Sequence, residues 1–186
     1  MDFSSPDRIQ LHELYFRPFL GQEEIQSRVA ELGAELYARL ADGRPSFLVM
    51  LKGAFVFAAD LVRASKLEGE VGFVRTSSYA GTESEGEVKL LLPPEEALVH
   101  DRDVVLIEDI IDSGLTMQAF LPVLRAMRPR SITLVTLLHK PEAQRVAVPV
   151  DLTGFKIPAK FVVGYGLDYD GLGRHLPAIY QLDETY

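Results

Sequence analysis

Residues 104 to 116 read Val-Val-Leu-Ile-Glu-Asp-Ile-Ile-Asp-Ser-Gly-Leu-Thr. Val104 to Ile107 form an unbroken apolar run with no polar alternation, which suits a strand buried on both faces in the middle of a parallel sheet. That restricts the chain to an α/β architecture with both sheet faces covered. Three carboxylates, Glu108, Asp109 and Asp112, follow the run. Ligands of open α/β sheets bind beyond the carboxyl ends of the strands, so these groups stand where a polyhydroxylated or metal-bearing substrate would sit. The turn Asp112-Ser113-Gly114-Leu115-Thr116 adds backbone N–H groups, two hydroxyls and a helix N-terminus, which together make an anion site. Ser, Thr, Asp and Gly also build ordinary strand-to-helix turns and N-caps. The adjacent acids tip the balance, because two ionised groups at the rim of a buried strand are costly unless they meet cations, sugar hydroxyls or water.

The rest of the chain agrees with alternating βαβ units. Ile25, Val29, Leu32, Leu36 and Leu40 recur at helical spacing, with Glu23 and Glu24 near the start, which predicts a helix over 22–41. A buried strand is predicted at Phe47–Leu51, a break at Lys52-Gly53, and a largely apolar helix at Ala54–Lys66. Further strands are expected at Val71–Thr76, Val88–Leu92, Val104–Ile107 and Ser131–Leu138, with a helix from about Leu115 to Met127. Residues 77–87 are small, polar and acidic and read as an exposed hairpin connection. From Pro141 onward Pro and Gly become frequent and only short strands, at Lys160–Val163 and Ala178–Leu182, are expected. That tail reads as an appendage on the sheet, with the first 20 residues beside it.

The stretch 104–116 strongly resembles the phosphoribosyl-diphosphate binding motif of type I phosphoribosyltransferases. The resemblance implies a central, mainly parallel sheet flanked by helices (core about 22–140) in one domain spanning 1–186. It also implies a small hood, formed by about 1–20 and 141–186, that binds the nucleobase. Two further segments are similar to the hypoxanthine-guanine members: Leu51-Lys52-Gly53, and Lys160-Phe161-Val162-Val163-Gly164-Tyr165 with Asp168 and Arg174 after it. By that resemblance Lys52 and Gly53 bind pyrophosphate, with a cis peptide before the Lys, and Ser78-Tyr79 in the flexible loop covers the diphosphate. Phe161 stacks on the purine, the Val162 backbone reads the base edge, Asp168 meets both purine and metal, and Arg174 meets pyrophosphate. Lys140 donates to the oxygen at position 6 of the base, which separates 6-oxopurines from adenine.

The reaction so implied moves a 5-phosphoribosyl group onto hypoxanthine or guanine, giving IMP or GMP and pyrophosphate. Ser113, Gly114, Leu115 and Thr116 hold the 5-phosphate, Glu108 and Asp109 meet sugar and Mg2+ together with Asp168, and Asp112 is the general base. Several relatives have Lys where this chain has Leu115, and the flanks of Lys140 differ, so preference among hypoxanthine, guanine and xanthine stays open. Two alternatives also stay open: transfer to another base, such as xanthine, adenine or orotate, and a non-catalytic sensor of the diphosphate on the same fold. A net charge of -8 opposes a nucleic-acid binder, and the absence of cysteine excludes thiolate chemistry and Cys-based zinc sites. With no leader-like start and no apolar stretch of membrane-spanning length, a cytoplasmic protein without membrane partners is expected. A homodimer or homotetramer is expected from the resemblance.

Overall fold

The computed structural model describes residues 8–78 and 88–185. In chain order the elements are β1 (Ile9–Leu11), β2 (Leu14–Leu20), α1 (Gln22–Leu40), β3 (Ser46–Leu51), α2 (Phe55–Ser65), β4 (Glu70–Ser78) and β5 (Val88–Leu92). They continue with β6 (Asp103–Ile111), α3 (Leu115–Ala126), β7 (Ser131–His139), β8 (Leu152–Lys156), β9 (Val162–Val163) and β10 (Ile179–Leu182). Six strands form one sheet in the order β5-β4-β3-β6-β7-β8, parallel except for the antiparallel edge strand β5. The chain leaves β3 for β4 on one side and returns to β6 on the other, so the winding direction reverses between β3 and β6. In such sheets a crevice opens at that reversal, beyond the carboxyl ends of the two strands.

Side-chain alternation divides the core between the two faces. Phe47, Val49, Val105 and Ile107 point to the side covered by α1 and α2, while Leu48, Met50, Val104 and Leu106 point to the side covered by α3. Each fully buried side chain of this size contributes roughly 1.5–3 kcal/mol, which explains the unbroken apolar runs Phe47–Leu51 of β3 and Val104–Ile107 of β6. Helix α1 buries Ile25, Val29, Leu32 and Leu36, the stripe expected from its spacing. It approaches α2 closely at Gly33, where a Cβ would come within 2.6 Å of the Ala64 carbonyl carbon. A second, antiparallel sheet, β1-β2-β10-β9, closes around Phe16, Val163, Ala178 and Tyr180 and forms the hood.

The structure departs from the sequence reading in several places. Residues 152–156 were assigned to the hood with no strand expected there, but they form β8 and extend the core sheet past residue 140 to Lys156. Leu152 is buried there, and Arg28 of α1 donates to the carbonyls of Thr153 (2.9 Å) and Gly154 (3.0 Å), satisfying the exposed edge. Strand β6 continues four residues beyond Ile107, because β7 is long enough to pair with Glu108, Ile110 and Ile111. The acids therefore lie within a paired strand rather than after it. Strand β4 runs through Ser78, which pairs with Val88. The strand expected at Lys160–Val163 shrinks to Val162–Val163. Among the described residues, no helix is long and apolar enough to cross a membrane.

Candidate active site

The crevice between β3 and β6 is a cavity of about 360 Å³. Its floor is the end of β3 with Lys52 and Gly53, one wall is Glu108 through Gly114 with Thr116, and the hood contributes Asp168 and Arg174. The Leu51–Lys52 peptide is cis. Gly53 lies so close to Asp109 that a Cβ would stand 1.4 Å from Asp109 Oδ2, so only glycine lets this segment pass over the acidic strand.

The two adjacent acids are not equivalent. Glu108 is buried, and its carboxyl is pushed well above the usual carboxylate range, first by burial and then by the neighbouring Asp109 charge. Its Oε1 accepts the Asp109 N–H at 3.1 Å. Asp109 is half-buried and lines the cavity, with Oδ1 accepting the Ile110 N–H at 2.8 Å.

The following turn is oriented by contacts on its far side. The Ser113 carbonyl accepts from the N–H groups of Arg145 (3.0 Å) and Val146 (3.3 Å). Because the peptide is trans, the Gly114 N–H points the opposite way, away from residues 145–146. Gly114 caps α3 at φ 83, a left-handed conformation that suits glycine. The Leu115 N–H is 3.4 Å from Ser113 Oγ, and the next N–H groups, of Thr116 and Met117, have no acceptor within the helix. Backbone donors, the helix dipole and the hydroxyls of Ser113 and Thr116 thus combine at one end of the cavity.

Lys140 is buried just beyond β7 and donates from Nζ to Asp112 Oδ2 at 2.7 Å. In the hood, Arg174 pairs with Asp168 at 2.5 Å and donates to the Gly166 carbonyl at 2.7 Å, while Asp168 Oδ2 accepts the Gly171 N–H at 2.8 Å. Phe161 is 42% exposed, with Phe16 and Tyr169 flanking its ring at centroid distances of 6.1 and 5.8 Å. The Phe161 carbonyl accepts the Leu182 N–H at 2.9 Å, and strand residues alternate. The Val162 N–H and C=O therefore turn outward from the sheet edge, free to meet a planar ligand.

Of the residues singled out in the sequence, Lys52, Gly53, Glu108, Asp109, Asp112, Ser113, Gly114, Thr116, Asp168 and Arg174 line one cavity. Leu115, Lys140, Phe161 and Val162 do not line it, although Lys140 reaches it through Asp112. Ser78 ends β4, and Tyr79 lies outside the described residues. Thr76 also lines the cavity and was not anticipated. Its position near the carboxyl end of β4, beside the end of β3, was the available signal.

The phosphoribosyl transferase domain family model matches residues 21–170. The chain belongs to that family. A hypoxanthine-guanine phosphoribosyltransferase of Bacillus subtilis (strain 168) is 44% identical over 161 residues, covering 86% of this chain and 89% of the relative. A hypoxanthine phosphoribosyltransferase of Escherichia coli (strain K12) is also 44% identical, over 85% of this chain and 90% of its own. The crystal structure of a hypoxanthine-guanine phosphoribosyltransferase from Bacillus anthracis, with a HEPES molecule in its active site, matches with a TM-score of 0.84 at 36% identity. That match covers 89% of this chain and 98% of the other. The type I phosphoribosyltransferase fold expected from residues 104–116 is thereby established, and this family member is a transferase.

The cavity also suits the divalent cation that the family resemblance implies. Among the described residues no three His, Asp or Glu groups gather into a cage. Mg2+ does not need one, since it keeps several waters and takes one or two carboxylates together with substrate phosphates. Asp109 and Asp168, both lining the cavity, fit that requirement.

Proposed function

We propose that this transferase moves the 5-phosphoribosyl group of phosphoribosyl diphosphate onto the imidazole ring of hypoxanthine or guanine, forming IMP or GMP and releasing pyrophosphate. The observation that carries the reading is the 2.7 Å pair between Lys140 Nζ and Asp112 Oδ2 beside the anion-binding turn. A 6-oxopurine presents a carbonyl acceptor and a ring nitrogen side by side, an edge that closely spaced polar groups recognise together. Lys140 supplies the donor for the carbonyl, and Asp112 the acceptor for the ring N–H. Adenine carries an amino group at that carbonyl position and would set a donor against the buried lysine's N–H instead of an acceptor, a loss that discriminates strongly. The names of the relatives in Bacillus subtilis and Escherichia coli support the same substrate class.

In this reading the 5-phosphate rests on the turn from Ser113 to Thr116, and its binding energy fixes the anomeric carbon. Lys52, Gly53 and Arg174 receive the diphosphate. Phe161 covers the flat face of the purine, and the outward Val162 backbone reads its edge. Asp112 takes the imidazole proton as the new C–N bond forms. Glu108, held toward its neutral acid form, donates to a sugar hydroxyl while Asp109 accepts from one. Magnesium, when bound, supplies positive charge that stabilises the departing pyrophosphate, and Asp109 and Asp168 are the residues that would hold it.

The test is pyrophosphate release from phosphoribosyl diphosphate and Mg2+ with hypoxanthine, guanine, xanthine or adenine in turn. Release with hypoxanthine and guanine, silence with adenine, and loss of activity on chelation are expected. Release with adenine alone, or with no base at all, would overturn the proposal.

A further inference from the structure

The turn Gly164-Tyr165-Gly166 links the hood strand β9 to the residues that meet the cavity, and all three residues adopt positive φ, at 100, 50 and 100. A left-handed conformation costs a non-glycine residue roughly 1 kcal/mol or more, so Tyr165 needs an anchor. It has one in the core. Its hydroxyl donates to Asp60 Oδ2 on α2 at 2.5 Å, and the side chain is otherwise buried, with the residue 4% exposed. The second oxygen of Asp60 is held by Arg63. Just after Tyr165, Gly166 rests on the Lys52-Gly53 segment, where a Cβ would stand 2.2 Å from the Gly53 carbonyl oxygen. The Gly166 carbonyl in turn receives Arg174, the partner of Asp168.

We propose that Tyr165 and Asp60 are positioning residues for phosphoribosyl transfer, their hydrogen bond locking the base-binding edge of the hood to the pyrophosphate-binding segment of the core. The inference rests on the transferase reading above. Phe161 and Val162 precede the turn by only a few residues, and Gly53 lies directly beneath it. The turn therefore sets how far the purine nitrogen stands from the anomeric carbon. Neither Tyr165 nor Asp60 lines the cavity, so neither is placed to touch a reacting atom. A bond that only helped folding would change stability and leave the chemical step alone. A bond that sets distance between two bound substrates changes the chemical step more than the binding of either one.

The experiment measures single-turnover formation of the nucleotide, together with KM for each substrate and the melting temperature. Its variants are Tyr165→Phe, Asp60→Ala, Asp60→Asn and the Tyr165→Phe/Asp60→Ala pair. Tyr165→Phe and Asp60→Ala are expected to slow single turnover about ten-fold or more, since a misplacement near 1 Å costs up to about a hundred-fold, with KM values within about three-fold of wild type. The double variant is expected to be no slower than either single one. Asp60→Asn keeps an acceptor for the tyrosine and is expected to stay within about three-fold of wild type. Single-turnover rates unchanged in both Tyr165→Phe and Asp60→Ala, whatever the melting temperature does, would overturn the inference while leaving the transferase reading intact. Losses in the two single variants that multiply in the double one would overturn it equally. A wild-type protein that releases no pyrophosphate with any purine would instead remove the transferase reading itself. Asp60 is partly exposed on α2, so its variants keep the test available if the tyrosine replacement folds poorly.

Discussion

Replacing Gly53 by alanine tests the closest contact in the cavity. The added Cβ would stand 1.4 Å from Asp109 Oδ2 and 2.6 Å from its Cγ, whereas real Cβ atoms essentially never come under 3.0 Å. One side must therefore yield by at least about 1.6 Å. Asp109 can swing away only by giving up the bond its Oδ1 accepts from Ile110. The Lys52-Gly53 segment can back off only into Gly166, which already rests on the Gly53 carbonyl. Overpacking of this kind costs roughly 1–3 kcal/mol. For a chain of 186 residues that corresponds to a fall in melting temperature of roughly 3–10 °C. On the proposed reading of the site, the same displacement would misalign the diphosphate with the purine, and an ångström of misplacement is worth about a hundred-fold in rate. Calorimetry and the pyrophosphate-release assay at 25 °C measure the two effects separately. The double variant Gly53→Ala/Asp109→Ala removes the opposing carboxylate, so its melting temperature is expected to recover while its activity stays low. Turnover within three-fold of wild type and an unshifted melting temperature in Gly53→Ala would refute the steric reasoning.

Three other outcomes follow from the site. Asp112→Asn is expected to lower turnover by about a hundred-fold or more with substrate affinity largely retained, and an unchanged turnover would remove Asp112 as the base. Lys140→Ala is expected to weaken 6-oxopurine binding far more than diphosphate binding in titration calorimetry, and equal losses would contradict the role given to it. The Glu108 carboxyl lies above its ordinary value in the folded protein, because of burial and then of Asp109, so the folded state holds a proton that the unfolded chain releases near pH 4.5. The stability this gives is present below that pH and is lost as pH rises through the folded value. Melting temperatures of Glu108→Gln and wild type should therefore diverge in favour of the glutamine as pH increases, and parallel curves would deny the shift.

How much was legible in the sequence depended on whether the signal was local. The Val104–Ile107 run, the α1 stripe and the Ser113-Gly114-Leu115-Thr116 turn are each written in consecutive or helically spaced residues, and each takes the place expected of it. β8 was illegible because its sequence, Leu-Thr-Gly-Phe-Lys, has little strand character of its own. Its stability comes from partners far along the chain: a place beside β7, and Arg28 at its edge. The strands β1 and β2 were hidden for the same reason, since Phe16 is buried among partners such as β10 and Phe161 that lie at the other end of the chain. Within the site, Lys140 and Asp112 were each singled out for the purine. That they touch each other depended on β6 and β7 being neighbours in register, which no local pattern states.

That contact bears on how a chain with a net charge of -8 can receive a ligand as anionic as phosphoribosyl diphosphate. Four carboxyl groups, Glu108, Asp109, Asp112 and Asp168, line the cavity, and taken alone they would repel it. Three of them are answered within the protein. Glu108 is driven toward its neutral form, Lys140 neutralises Asp112, and Arg174 neutralises Asp168. Lys52 and the N–H groups at the start of α3 then supply positive charge and donors to the cavity. Among the described residues, Glu108 and Asp109 are the cavity carboxyl groups that pair with no lysine or arginine, and burial answers the first of them. A divalent cation entering with the diphosphate would complete the balance at Asp109. On this accounting, Asp109→Asn should weaken Mg2+-dependent binding of the donor more than binding of the purine, a difference that calorimetry with and without Mg2+ can read. If donor affinity were unchanged, the charge balance of the cavity would have to be assigned differently.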